Sequence, residues 1–114
     1  MEKDSLSLSD ELRHRITELL RPLNPLKVIV FGSYAEGVVD QHSDIDLVVV
    51  LNRESMPGTY RDRMRNRLLV RRALDALNRD YALDVLVYTR PEWEHLQATA
   101  GALSREIFDK GVEV

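Results

Sequence analysis

The chain has no cysteine, which excludes disulfides, thiolate nucleophiles and cysteine-ligated metals, and fits a reducing compartment such as the cytoplasm. Histidine is almost as scarce: His14, His42 and His95 are far apart in sequence. His14 and His95 fall in helical stretches and His42 in a loop, so a zinc site is not expected. The longest apolar run beside a strand signal, Leu47 to Leu51, is far too short to span a bilayer. Residues Met1 to Ser5 are charged and lack a signal-peptide core, so no membrane association is expected. Lysine occurs only at positions 3, 27 and 110, whereas arginine occurs 13 times. Arginine is the better bidentate partner for phosphate and carboxylate. The net charge of −3 argues against general nucleic-acid binding. It is uneven, however: the stretch 53–79 carries +5 and the remainder −8.

What is present fits a single domain over residues 1–114. At 44% hydrophobic and 31% charged residues, the chain has an ordinary globular composition and enough length to bury a core. Leu8, Leu12, Ile16, Leu19 and Leu23 recur at helical spacing behind Ser7 or Ser9 as N-cap, and Pro22 and Pro25 end that helix. Residues 26–31 predict a first strand, broken by Gly32; a short helical turn follows at 33–37 and a loop at 38–43. Residues 44–51 predict a second strand. Pro57-Gly58 marks a turn before a long second helix over 59–78, whose inner stripe is expected to be Tyr60, Met64, Leu68 or Leu69, Val70, Leu74 and Leu77. Residues 82–88 predict a third strand. Thr89-Arg90-Pro91-Glu92 has the form of a capping box opening a third helix. Gly101 separates it from a last helix at 103–110, and Val112-Glu113-Val114 can add an edge strand. Trp93 and Leu96 suit core or interface packing.

The chemistry-bearing residues are Gly32-Ser33, then, ten residues on, Asp44-Ile45-Asp46, and later Asp84. Side chains alternate along a strand, so Asp44 and Asp46 share a face with Cα atoms roughly 6.6 Å apart. Asp84 opens the next strand in the same way. These groups meet at one sheet edge if the first strand is antiparallel to the second and the second parallel to the third. Two or three carboxylates gathered there suit magnesium ions and a triphosphate. A two-ion clamp would rest on Asp44 and Asp46, and Asp84 would complete one ion and take the proton of an attacking hydroxyl. Gly32 allows close backbone approach to phosphate, and the Ser33 hydroxyl and neighbouring N–H groups would bind it. Tyr34 fits either base stacking or turn packing. The arginines of the second helix read first as a solvated face, with docking to an acidic partner or RNA as the alternative.

Gly32-Ser33, the ten-residue gap, Asp44-Ile45-Asp46 and the later Leu83-Asp84-Val85 resemble the minimal nucleotidyltransferases of the DNA polymerase beta superfamily. The resemblance covers nearly the whole chain. It implies an α/β nucleotidyltransferase palm fold, with a mixed three- to four-stranded sheet packed against helices. It further implies Mg²⁺, nucleoside triphosphate as substrate (ATP foremost), and transfer of a nucleoside monophosphate with release of pyrophosphate. Short members of the family often serve as antitoxins that pair with a helical HEPN ribonuclease toxin and adenylylate one of its tyrosines. The expected partner is therefore a HEPN-type toxin, with a homodimer also open and nucleic acid disfavoured. Two rival functions are an antitoxin that acts by docking alone and transfer to a small molecule such as an aminoglycoside. One departure stands out: relatives commonly carry an arginine near Tyr34 or Glu36, where this chain has none. Lys27 or an arginine of the second helix would have to replace it, unless Glu36 faces solvent.

Overall fold

The computed structural model describes residues 8–37, 39, 43–99 and 101–114, all but three of them (102, 103 and 106) with their side chains. The loop expected at 38–43, including His42, and the possible cap Ser7 lie largely outside the described residues.

Helix α1 (Asp10–Leu20) is capped by Ser9, whose Oγ accepts from the Leu12 amide at 3.1 Å, and it closes in a 3₁₀ turn at Arg21–Leu23. Asn24 takes a left-handed conformation there, and the chain enters β1 (Lys27–Phe31). The four-residue α2 (Ser33–Glu36) and β2 (Ile45–Val50) follow. After the loop, α3 (Tyr60–Ala73) and a separate turn of helix, α4 (Asp75–Asn78), lead to β3 (Leu83–Tyr88). Helices α5 (Arg90–Ala98) and α6 (Ala102–Lys110) and the short β4 (Val112–Glu113) complete the order. The α5 start is a true capping box: the Thr89 amide donates to Glu92 Oε1 at 2.9 Å.

The sheet order is β3-β2-β1-β4. β1 is antiparallel to both β2 and β4, while β2 and β3 are parallel. The terminal edge strand thus pairs within the sheet, and the strand directions are those the site residues require.

Helices cover both faces. On one face Val28, Val30, Leu47 and Val49 meet Leu12, Ile16 and Leu20 of α1 and Val70, Leu74 and Leu77. On the other, Ile29, Phe31, Val48 and Val50 meet Trp93 of α5 and Ile107 of α6. The continuous apolar run at 47–51 reflects this double burial. Arg15 ties the two ends of the first layer together, pairing with Asp80 at 2.7 Å and donating to the Ala76 carbonyl.

Two expectations for the second helix need correction. It is not continuous: Leu74, at φ −96° and ψ 7°, leaves helical geometry and splits it. Its inner stripe holds at its C-terminal part but does not reach back to Tyr60. Val70, Leu74 and Leu77 are buried, but Tyr60 is 74% exposed, and Leu68 is exposed where Leu69 is half-buried. The buried position missed by an apolar pattern is Asn66, whose Oδ1 accepts from Arg53 Nη1 at 2.9 Å and so anchors the preceding loop.

Candidate active site at the sheet edge

The end of β1 builds the first part of the site. Gly32 has φ 70° and ψ −149°, a region all but closed to residues with a Cβ. A Cβ placed there would overlap the Asp46 carboxylate, so Asp46 Oδ2 lies against the Gly32 backbone in space that only glycine leaves open. Ser33 begins α2, and the Glu36 amide closes back on the Gly32 carbonyl at 3.1 Å.

Strand register supplies the second part. Asp46 stands opposite Phe31, the last residue of β1, and opposite Asp84 on β3. Directly opposed residues present their side chains to the same face. Asp46 and Asp84 are therefore neighbours across adjacent strands, at a strand separation of about 4.8 Å, with the Gly32 turn on the other side of Asp46. Asp44 lies just ahead of β2, exposed, while Ile45 is pinned by its amide bond to the Ala82 carbonyl at 2.9 Å. All five residues singled out in the sequence thus fall at one end of the sheet. Among the described residues, no three His, Cys, Asp or Glu side chains form a closed metal-holding group as placed.

Tyr34 resolves as a packing residue. It is buried in the α1-side core, and its ring meets Tyr81 edge-on at 6.4 Å. Burial, then Tyr81, then the nearby Asp44 carboxylate raise its phenol pKa above the usual value, so Tyr34 stays neutral at physiological pH.

Of the alternatives left open for Glu36, the structure gives the solvent-facing one, with a cationic partner that the sequence did not suggest. Lys27 sits at the opposite end of β1 and pairs with Glu113 at 3.3 Å. Glu36 is exposed, and Lys110, the last residue of α6, reaches it at 3.5 Å. Lys110 thereby offsets the negative charge of Glu36. No local sequence signal could place it, since the contact joins distant parts of the chain.

A nucleotidyltransferase domain model matches residues 10–113. No curated protein sequence matches the chain. Among solved structures it is similar to a toxin–antitoxin crystallised with AMP-PNP, at TM-score 0.58 and 22% identity over 88% of this chain and 69% of that one. It is also similar to a mutant of the toxin–antitoxin MntA-HpeT, at TM-score 0.56 and 23% identity over 90% and 70% of the two chains. A Sulfolobus solfataricus protein solved as a nucleotidyltransferase candidate gives TM-score 0.53 and 22% identity over 89% and 73%. At these identities the structural likeness is one of fold.

Proposed function

Since the chain belongs to the nucleotidyltransferase domain family, by a match that spans residues 10–113, we propose that it transfers AMP from ATP to a tyrosine hydroxyl of a HEPN-type toxin, and so serves as the antitoxin of a cytoplasmic pair. One observation carries the transfer chemistry: Gly32, Asp46 and Asp84 meet side by side at one sheet end, with Ser33 and Asp44 adjoining. The partner class draws support from the toxin–antitoxin assemblies among the proteins of similar fold, one of them crystallised with AMP-PNP.

By donor type, though not gathered around a common point, the carboxylates suit magnesium. Asp44, Asp46 and Asp84 offer hard carboxylate oxygens at an edge open to solvent, and magnesium takes one or two carboxylates together with substrate phosphates. The chemistry that bound Mg²⁺ supplies is neutralisation of the triphosphate and of the charge developing in an in-line displacement. Asp44 and Asp46 would hold the ions, with Asp84 completing one of them. Gly32 and Ser33 cradle the phosphates through backbone N–H groups and the Ser33 hydroxyl. Asp84 accepts the proton of the attacking hydroxyl as a new oxygen–phosphorus bond forms at the α-phosphate and the bond to pyrophosphate breaks. Lys110 offsets the Glu36 carboxylate, which would otherwise add negative charge on the helix that follows Gly32.

The test is intact-mass spectrometry of a HEPN-type partner co-expressed with this chain or with its Asp44→Ala/Asp46→Ala form. A mass gain of one or more AMP units only with the intact carboxylates is expected. A stable complex without added mass would replace transfer by docking alone. Absence of both complex and added mass would return the acceptor to a small molecule.

A further inference from the structure

Helix α3 carries two apolar stripes, and the core uses only one. Asn66 and Val70 are buried, and the helix continues inward to Leu74. Tyr60, Met64 and Leu68 recur every four residues and form a second seam; Met64 is half-buried, and Leu68 also borders a cavity it shares with Leu74, Leu83 and Val85. Met56 is exposed in the loop ahead of the helix. Tyr60 is 74%, Met56 56% and Leu68 45% exposed. Four-residue spacing keeps side chains stacked along one line of a helix.

Arginines border this seam on both sides. At 100° per residue, Arg63 and Arg67 run along one flank and Arg61 and Arg65 along the other, while Arg71 and Arg72 close the seam's far end. All six are exposed, and none makes an ion pair among the described residues. Arg15, Arg21 and Arg90 elsewhere do pair, with Asp80, Glu18 and Glu54. Like charges at i and i+4 destabilise a helix, and Arg61/Arg65, Arg63/Arg67 and Arg67/Arg71 stand at that spacing. A groove of about 470 Å³ runs beside the seam, lined chiefly by Arg61, Met64, Arg65, Leu68 and Arg72.

We propose that this face docks an acidic amphipathic helix of a partner protein, apolar seam against apolar seam, with the partner's carboxylates taking the two rows of arginines. The surface stands on its own, whether or not the chain transfers nucleotides. A second copy is the poorer occupant, because a two-fold contact sets the same patch against itself and would oppose arginine to arginine. RNA would engage the arginines but leave Met56, Met64 and Leu68 unused, and base stacking calls for aromatic rings, of which the seam holds only Tyr60.

The probe is a labelled, helix-stabilised peptide with leucines on one stripe and glutamates on both flanks, titrated into the full chain by fluorescence anisotropy and mapped by amide NMR. Saturable binding with shifts confined to residues 56–72 is expected. Leu68→Glu and Arg65→Glu should each weaken it roughly tenfold. Both positions are exposed, and a thermal melt of each variant confirms folding. Equal binding of a peptide with lysine replacing glutamate, or shifts elsewhere, would overturn the proposal. So would a chain dimer that Leu68→Glu dissociates. Binding of a short oligouridylate that Arg65→Glu abolishes and Leu68→Glu leaves intact would reassign the face to RNA.

Discussion

At the scale of single residues, Gly32 couples the fold to the site. Its backbone lies where a Cβ would overlap the Asp46 carboxylate, and its φ of 70° with ψ of −149° is nearly closed to other residues. Gly32→Ala therefore meets two costs: about 1–3 kcal/mol of backbone strain and displacement of Asp46. Urea unfolding should record a loss of at least that size, and nucleotide binding measured by calorimetry should fall with it. A variant that kept both wild-type stability and wild-type binding would show that Asp46 can relocate freely. The residue-level signal was legible here because glycine and aspartate act through local geometry. Lys110 was not, because its meeting with Glu36 depends on how α6 returns to β1.

Among the elements, α3 shows where periodicity serves and where it misleads. The apolar positions of the 60–77 stretch were legible, but they comprise two stripes, and a count of apolar residues cannot say which one faces the sheet. Asn66, bonded to Arg53, joins the expected Val70, Leu74 and Leu77 on the inner line, and the break at Leu74 divides the helix. Strands gave a firmer reading, since residues 44–51 were expected as a strand, and the directions of β1, β2 and β3 followed from the need to gather Gly32, Asp46 and Asp84. The two stripes differ measurably. Leu74→Ala removes a side chain that is 1% exposed and should cost about 2–5 kcal/mol. Leu68→Ala, on the outer seam, should stay within about 0.5 kcal/mol of wild type. Comparable losses in chemical denaturation at both positions would refute the division of the helix.

For the whole molecule, the fold and the site occupy different residues: the two cores lie along the sheet faces, and the carboxylates lie at its open end. Gly32 aside, the two should therefore respond separately to substitution and to ligand. If Asp44, Asp46 and Asp84 hold magnesium with nucleotide, ligand binding stabilises the native state through mass action, by about 2.7 kcal/mol when nucleotide exceeds its Kd a hundredfold. In a domain of this size each kcal/mol moves the melting temperature by about 4–8 °C, so a rise on the order of 10 °C is expected with Mg²⁺ and ATP together. ATP in the presence of a chelator should give little. Asp46→Asn should melt near the apo wild type and lose the Mg²⁺-dependent rise. Leu47→Ala, which empties a fully buried position in the sheet, should melt far lower yet keep the rise. If Asp46→Asn retained the full increment, the nucleotide would bind elsewhere, and the carboxylate edge would lose its assignment even though the fold assignment stood.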